Sequence, residues 1–217
     1  MKYPRTPHLP NSLGKGSNDI LSPDWFLHFP HQQKIVVTEK MDGECTSMTY
    51  DKIHARSEDS KDHPSRHWVK RLHADLKDFI PEGMEIFGEN MYAKHSIKYD
   101  KLDSYFLVFN IAYWWNFLEW DKIEAVCDKL GLYTVPVLYK GPKVEGDWFT
   151  GKSKMGGEQE GYVIRNAYAF GTDQRAFSDN CAKFVRANHV QTDDHWMHQA
   201  IIKNGLANEE LLRKIKD

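Results

Sequence analysis

Short apolar or β-branched runs recur along this chain at Lys34 to Thr38, Thr46 to Tyr50, Met84 to Phe87, Tyr105 to Ile111, Val135 to Leu138, Tyr162 to Ile164 and Ala182 to Val185. Each has the length and composition of a strand. Two stretches show helical spacing instead. Ser65 can cap a helix that aligns Trp68, Leu72, Leu76 and Phe79 and stops at Pro81, and a second helix runs from about Glu119 to Leu130 with Gly131 behind it. Because helices do not regularly separate the strands, the pattern predicts an α+β fold of mostly antiparallel sheets flanked by helices, not a doubly wound parallel sheet. From Asp193 onward the chain reads as two helices broken at Gly205, with Asn208 as a cap for the second.

Composition removes several classes without changing that picture. The 217 residues are 41% hydrophobic and 28% charged, enough for one domain with a real core and no disulfide staples. The formal net charge is -2, so contact with nucleic acid has to come from a local basic surface. Cys45, Cys127 and Cys181 lie far apart with no CxxC spacing, which argues against a disulfide framework or a cysteine zinc site and for a reducing compartment. The segment from Met1 to Gly16 is polar and rich in proline and histidine, and no run is long enough to span a bilayer. The expectation is a cytoplasmic protein with no membrane partner.

Chemistry enters at Glu39-Lys40-Met41-Asp42-Gly43-Glu44, which follows one apolar strand and precedes another. Lys40 falls at a strand end, Gly43 in the turn. A K-x-D-G string arises by composition in roughly one chain of this length in twenty, so a plain surface turn is the competing reading. What makes the string matter is that a lysine attacks phosphorus only as the neutral amine, and its pKa falls readily on desolvation or beside other cations. Gly43 supplies turn freedom, and Asp42 can orient the amine or a nucleotide sugar. Farther on, Lys183 sits between Ala182 and Phe184 in an apolar strand, where a lysine needs a partner or a task.

Taken in order, Lys40-Met41-Asp42-Gly43, Ala55-Arg56-Ser57, Ile86-Phe87-Gly88-Glu89, Phe106-Leu107-Val108-Phe109-Asn110-Ile111, Glu160-Gly161-Tyr162-Val163-Ile164 and Ala182-Lys183-Phe184-Val185 resemble the nucleotidyltransferase motifs of ATP-dependent RNA ligases. The resemblance spans about Lys2 to Arg186, is nearest to the nick-sealing RNA ligase 2-like family, and includes the opening Lys2-Tyr3-Pro4-Arg5-Thr6. It implies an adenylation domain over residues 1–190, a short helical tail over 191–217, and no C-terminal OB domain. It implies ATP as cofactor with Lys40 carrying AMP, and Mg2+ or Mn2+ held through Glu160. Arg56 would contact the ribose or the incoming phosphate, Glu89 the ribose hydroxyls, Phe109 the adenine face, and Lys183 the α-phosphate. Glu39, beside Lys40, joins the nucleotide-binding set, and Asp42 the catalytic one. The implied partner is nicked duplex RNA or an RNA–DNA hybrid, with an accessory protein able to stand in for a C-terminal domain. Where the family commonly has a second lysine, this chain continues Phe184-Val185-Arg186, and strand alternation places Val185, not Arg186, on the face of Lys183.

Other strings compete. Gly146 to Ser153 satisfies G-x-x-x-x-G-K-[ST] in full, the signature of a P-loop NTPase. Trp148 and Phe149 put bulk where backbone must wrap phosphate, however, and Gly156 and Gly157 break any following helix. His63, His67 and His73 could suggest a metal pair, but Pro64 and Ser65 place His63 before the helix start, which favours solvated side chains. Lys94, His95, Lys98 and Lys101 read as a solvated face that a ligase could turn toward a 5'-phosphate. A noncatalytic nucleic-acid-binding module is the remaining alternative, and it would be expected to have lost Lys40.

Overall fold

In the computed structural model, which describes residues 1–22, 33–57, 62–144, 146–188 and 200–208, strand β1 (Lys34–Lys40) is buried on both faces over residues 35–39. Coverage on both sides explains why its sequence is apolar without alternation. The chain continues through β2 (Glu44–Met48), β3 (Ile53–Ala55), α1 (His67–Leu76), β4 (Met84–Asn90), β5 (Phe106–Tyr113), β6 (Asn116–Phe117) and α2 (Trp120–Leu130). It then forms β7 (Tyr133–Thr134), β8 (Val137–Pro142), β9 (Gly161–Asn166), β10 (Phe170–Gly171), α3 (Gln174–Asn180) and β11 (Cys181–Val185). One sheet has the order β11-β9-β1-β8, and the other runs β10-β6-β5-β4-β2-β3 with β7 beside β5. All pairings between named strands are antiparallel except β5 with β7. The mixed α and β architecture with antiparallel sheets is the one the apolar pattern predicts.

Both expected helices form, and one differs in phase. α2 ends on Gly131 at φ 67°, the left-handed stop that glycine tolerates best. α1 buries Val69, Leu72, His73 and Leu76, but a tight 3-10 turn at Lys77–Phe79 follows it. With three residues per turn there instead of 3.6, Phe79 swings out to 68% exposure and Ile80 takes the core position. Ser65 is not the cap; it lies inside a preceding 3-10 turn whose capping group is His63 Nδ1.

Residues 200–208 contain no helix, against expectation. Their main-chain groups bond across to the loop after β4: Lys94 N–H donates to the Ile202 carbonyl at 2.7 Å and Gly205 N–H to the Tyr99 carbonyl at 2.8 Å. Groups spent on a neighbouring segment cannot close helical turns. Residues 193–199 and the helix expected after Asn208 lie outside the described residues. At the other end of the chain, the N-terminal segment runs along β11, with Lys183 N–H donating to the Pro7 carbonyl and Leu9 N–H to that of Lys183, both at 2.8 Å. Among the described residues no helix is long and apolar enough to cross a membrane.

Candidate active site

Between the two sheets lies a cleft of about 710 Å³ lined by Lys40, Arg56, Glu89, Phe109 and Lys183. These residues come from five separate places in the sequence, and strand register explains how they meet. Across the four-stranded sheet, Thr38, Val163 and Lys183 form one row, and Lys40, Gly161 and Val185 the next. Side chains two residues apart on a strand share a face, so Lys40 and Lys183 look into the same space. Val185, not Arg186, shares that row; Arg186 instead meets Glu158 Oε2 at 2.6 Å, outside the residues that line the cleft. Phe109 reaches the cleft because β5 bulges: Phe87 pairs with Asn110 and Gly88 with Val108, leaving Phe109 unopposed. An extra residue in one strand re-aims its side chain, and here the ring is half-buried with the edge of Tyr3 against it, centroids 5.0 Å apart.

The Lys40 amine is held by the residue next to its cross-strand neighbour. Gly161 faces Lys40, and Glu160, just before it, takes Nζ at 2.6 and 2.7 Å on its two oxygens. Glu160 is 4% exposed. Burial alone would lower the Lys40 pKa, but Glu160, Glu89 and Asp42 together outweigh it and raise the value. With the carboxylate in place, the charged form of the amine is favoured. Lys183 is the opposite case. Its burial and the nearby positive charge of Lys40 push it down to about 8, against the pull of Asp19 and Glu160. Burial also drives Glu89 up to about 8, against the attraction of Lys40.

Gly43 and Asp42 hold the turn that follows Lys40. Gly43 does not occupy the left-handed region; a Cβ there would stand 2.7 Å from both the Asn90 carbonyl and Met91 Sδ, so the glycine permits close approach of the turn to β4. Asp42 turns its carboxylate to the Ser96 and Ile97 N–H groups at 2.8 and 2.7 Å, which makes it a brace for the loop beside Lys40 and not a direct contact of the amine. Glu39 falls in the row with Tyr162 and Phe184, on the opposite sheet face from Lys40. Its carboxylate accepts the Lys154 N–H at 3.1 Å, and the residue still contributes to the lining of the cleft beside Lys40. Arg56 follows β3 and is exposed at the rim.

Several cleft residues have no role in the sequence reading. Tyr3, Arg5, Thr6 and Asp19 come from the N-terminal segment, and their position follows from its pairing with β11. Arg165 is buried beneath them, bonded to Asn110 Oδ1 and the Leu118 carbonyl at 2.7 Å each. It sits within an apolar strand just as Lys183 does, and the same rule, that a cation there needs a task, would have flagged it.

Among the described residues no group of three His, Cys, Asp or Glu is arranged to hold a metal ion alone. The Glu160 carboxylate fits a hydrated Mg2+ or Mn2+, which takes one or two protein carboxylates and completes its shell with water and phosphate. The rival phosphate-loop string fails on geometry. Trp148 packs on Tyr162 and Phe149 on Phe184, and after Lys152 the chain bridges back to Glu158 instead of entering a helix. His67 meets Asp62, and His73 Nε2 lies 2.7 Å from the Thr49 carbonyl oxygen, so neither is arranged as a metal ligand.

Residues 33–185 match the family model described as RNA ligase. No curated protein matches the chain. Among solved structures, Naegleria gruberi RNA ligase with PPi is similar at 15% identity with a TM-score of 0.57, over 86% of this chain and 56% of that one. A mutant of the same ligase with ATP and Mn gives 16% identity and 0.55 over the same shares. Another, with AMP and Mn, gives 14% and 0.54, again over 86% and 56%. The likeness is one of fold, and the chain spans little more than half the length of those chains.

Proposed function

The chain belongs to the RNA ligase family, and from that membership and the cleft we propose that it is an ATP-dependent RNA ligase working through a covalent lysyl-AMP at Lys40. The observation that carries the reading is the pairing of the half-buried Lys40 amine with Glu160, in a cleft shared with Lys183, Arg56, Glu89 and Phe109. In the first step the Lys40 ammonium loses a proton to water, its free Nζ bonds to the α-phosphorus of ATP, the bond from that phosphorus to the bridging oxygen breaks, pyrophosphate leaves, and a second proton passes from Nζ to solvent as the phosphoramide forms. AMP then passes to a 5'-phosphate end, and a neighbouring 3'-hydroxyl displaces it to seal the strand. The substrate we favour is a nick in duplex RNA or in an RNA–DNA hybrid.

Each residue has a task that its surroundings suit. Phosphoryl transfer depends mainly on positioning and on charge placed around the in-line phosphorus. Lys183, buried and close to losing its proton, gains most from an anion beside it and so belongs to the α-phosphate. Phe109, re-aimed by its bulge, offers a ring face or edge to the adenine. Glu89, held near neutrality by burial, suits the ribose hydroxyls. A divalent cation bound at Glu160 supplies positive charge that competes with Lys40 for the carboxylate and favours the neutral amine. Residues 1–190 act as the adenylation unit in this proposal. Cys45, Cys127 and Cys181 are free thiols, which supports a reducing, cytoplasmic setting.

The test is incubation of the chain with α-labelled ATP and Mg2+ or Mn2+, followed by acid precipitation. The expected result is a labelled adduct that disappears in Lys40→Ala. An unlabelled wild-type protein, or a label that survives Lys40→Ala, overturns the proposal. A noncatalytic binder would give salt-dependent binding without label. A panel of RNA, DNA and mixed nicks beside single strands then identifies the substrate.

A further inference from the structure

Residues 200–208 return to the loop that follows β4, and one side chain does most of the holding. Asn204 is 2% exposed. Its Nδ2 donates to the Met91 carbonyl at 2.8 Å and to that of Ala93 at 3.3 Å, while its Oδ1 accepts the Tyr99 N–H at 3.0 Å. Its own N–H donates to the Tyr92 carbonyl at 3.1 Å, and its carbonyl accepts the Tyr105 hydroxyl at 3.2 Å. An asparagine engaged at both amide atoms and both main-chain groups ties residues 91–99 into one rigid piece. Behind it, a Cβ on Gly205 would come within 2.9 Å of the Asp100 carbonyl oxygen, so the segment lies as close to the loop as backbone allows.

That loop in turn grips the turn after Lys40. Ser96 and Ile97 donate to Asp42 Oδ2, and the buried Tyr99 hydroxyl accepts the Asp42 N–H at 3.1 Å. Asp42 is two residues from Lys40, and His95 of the same loop lines the cleft. A continuous series of short polar contacts therefore links Asn204 through Tyr99 to Asp42 and the end of β1.

We propose that Asn204 is a positioning residue for adenylation: by fixing the 91–99 loop it fixes Asp42, and with Asp42 the angle at which Lys40 enters the cleft. This rests on the lysyl-AMP reading above. Lys40 must reach phosphorus in line with the leaving oxygen, and a misplacement of about 1 Å in such a geometry costs up to about a hundredfold in rate. Asn204 touches no substrate, so its removal acts on the chemical step and not on nucleotide affinity.

The experiment uses the full chain as wild type, Asn204→Ala, Tyr99→Phe and the double variant. Adduct formation from labelled ATP is followed in a single turnover across ATP concentration, with thermal melting as the control for folding. The expected result for Asn204→Ala is a rate lower by about tenfold at saturating ATP, with the ATP concentration for half-maximal rate within about twofold of wild type. Tyr99→Phe should slow the step in the same way, and the double variant should be no slower than the slower single one. A wild-type rate in folded Asn204→Ala, or a loss that appears only as a higher half-saturating ATP concentration, overturns the proposal, and so does a double variant whose losses multiply. Should Asn204→Ala not fold, Asn204→Ser and Tyr99→Phe decide the matter alone, the latter keeping the buried ring. Failure of the wild type to form any adduct sinks the parent reading instead; wild-type adduct with unaffected variants sinks this one only.

Discussion

The two faces of the four-stranded sheet are built from the same strands and do opposite things. On the closed face Ile35, Val37, Tyr162, Ile164, Ala182 and Phe184 form a core with Leu9, Trp148 and Phe149 packed against it. Tyr162 and Phe184 stack there with an interplanar angle of 11°. One residue along each strand, the open face presents Lys40, Lys183 and Arg165 to the cleft. The period-two geometry of a strand lets one sheet carry an apolar seal on one side and three cations on the other. Stability is concentrated on the first face, and the second holds charge at the expense of stability, since burying cations away from water costs free energy that apolar burial elsewhere has to offset.

The largest test of that division is on the closed face. Phe184→Ala should destabilise the fold by about 3–5 kcal/mol, measured by urea unfolding, while the protein that remains folded forms adduct at an unchanged rate. Its neighbour should behave the other way. Lys183→Met should slow adduct formation by about a hundredfold to a thousandfold, the scale of losing one preorganised charge or donor at a transferring group, without lowering the melting temperature. The pH dependence follows from the value of about 8 that Lys183 holds in the fold, below the usual 10.5. Its cation is present below pH 8 and lost above it, so the rate at low ATP should fall through that pH in wild type, and this limb should vanish in Lys183→Met. Stability runs the opposite way: between about 8 and 10.5 the unfolded chain binds the proton and the folded chain does not, so wild-type stability should rise with pH across that window and the variant's should not. The smallest effect is expected at Arg186, whose guanidinium meets the exposed Glu158. Arg186→Ala should leave adduct formation unchanged and alter stability by no more than about 1 kcal/mol. A large loss of activity there would move the second cation of the site from the Lys183 face to the strand end.

Much of the site was legible because its residues break local rules. Lys183 is a cation in an apolar strand, and Lys40, Gly43 and Glu160 lie at strand ends where a cleft can form. Arg165 breaks the same rule as Lys183, one residue beyond the apolar run that ends at Ile164. The helix at Gln174–Asn180 leaves a fainter mark on the sequence. It has seven residues, too few for a periodic stripe, and its one strong signal is the Asp173 cap, bonded to Arg175 and Ala176 N–H.

The residues alone determined the strand-rich α+β class, the two longer helices and the identity of the groups able to do phosphoryl chemistry. These are properties of period, capping and side-chain type, all local to a stretch of chain. Only the tertiary structure decided which groups meet and in what charge state. Phe109 reaches the cleft through a bulge defined by the partner strand, Asp42 is claimed by N–H groups 54 and 55 residues away, and the proton affinity of Lys40 is raised because Glu160, 120 residues on, stands 2.6 Å from it. Proton affinity is set by the charges and the burial around a group, and neither exists until the sheets have come together.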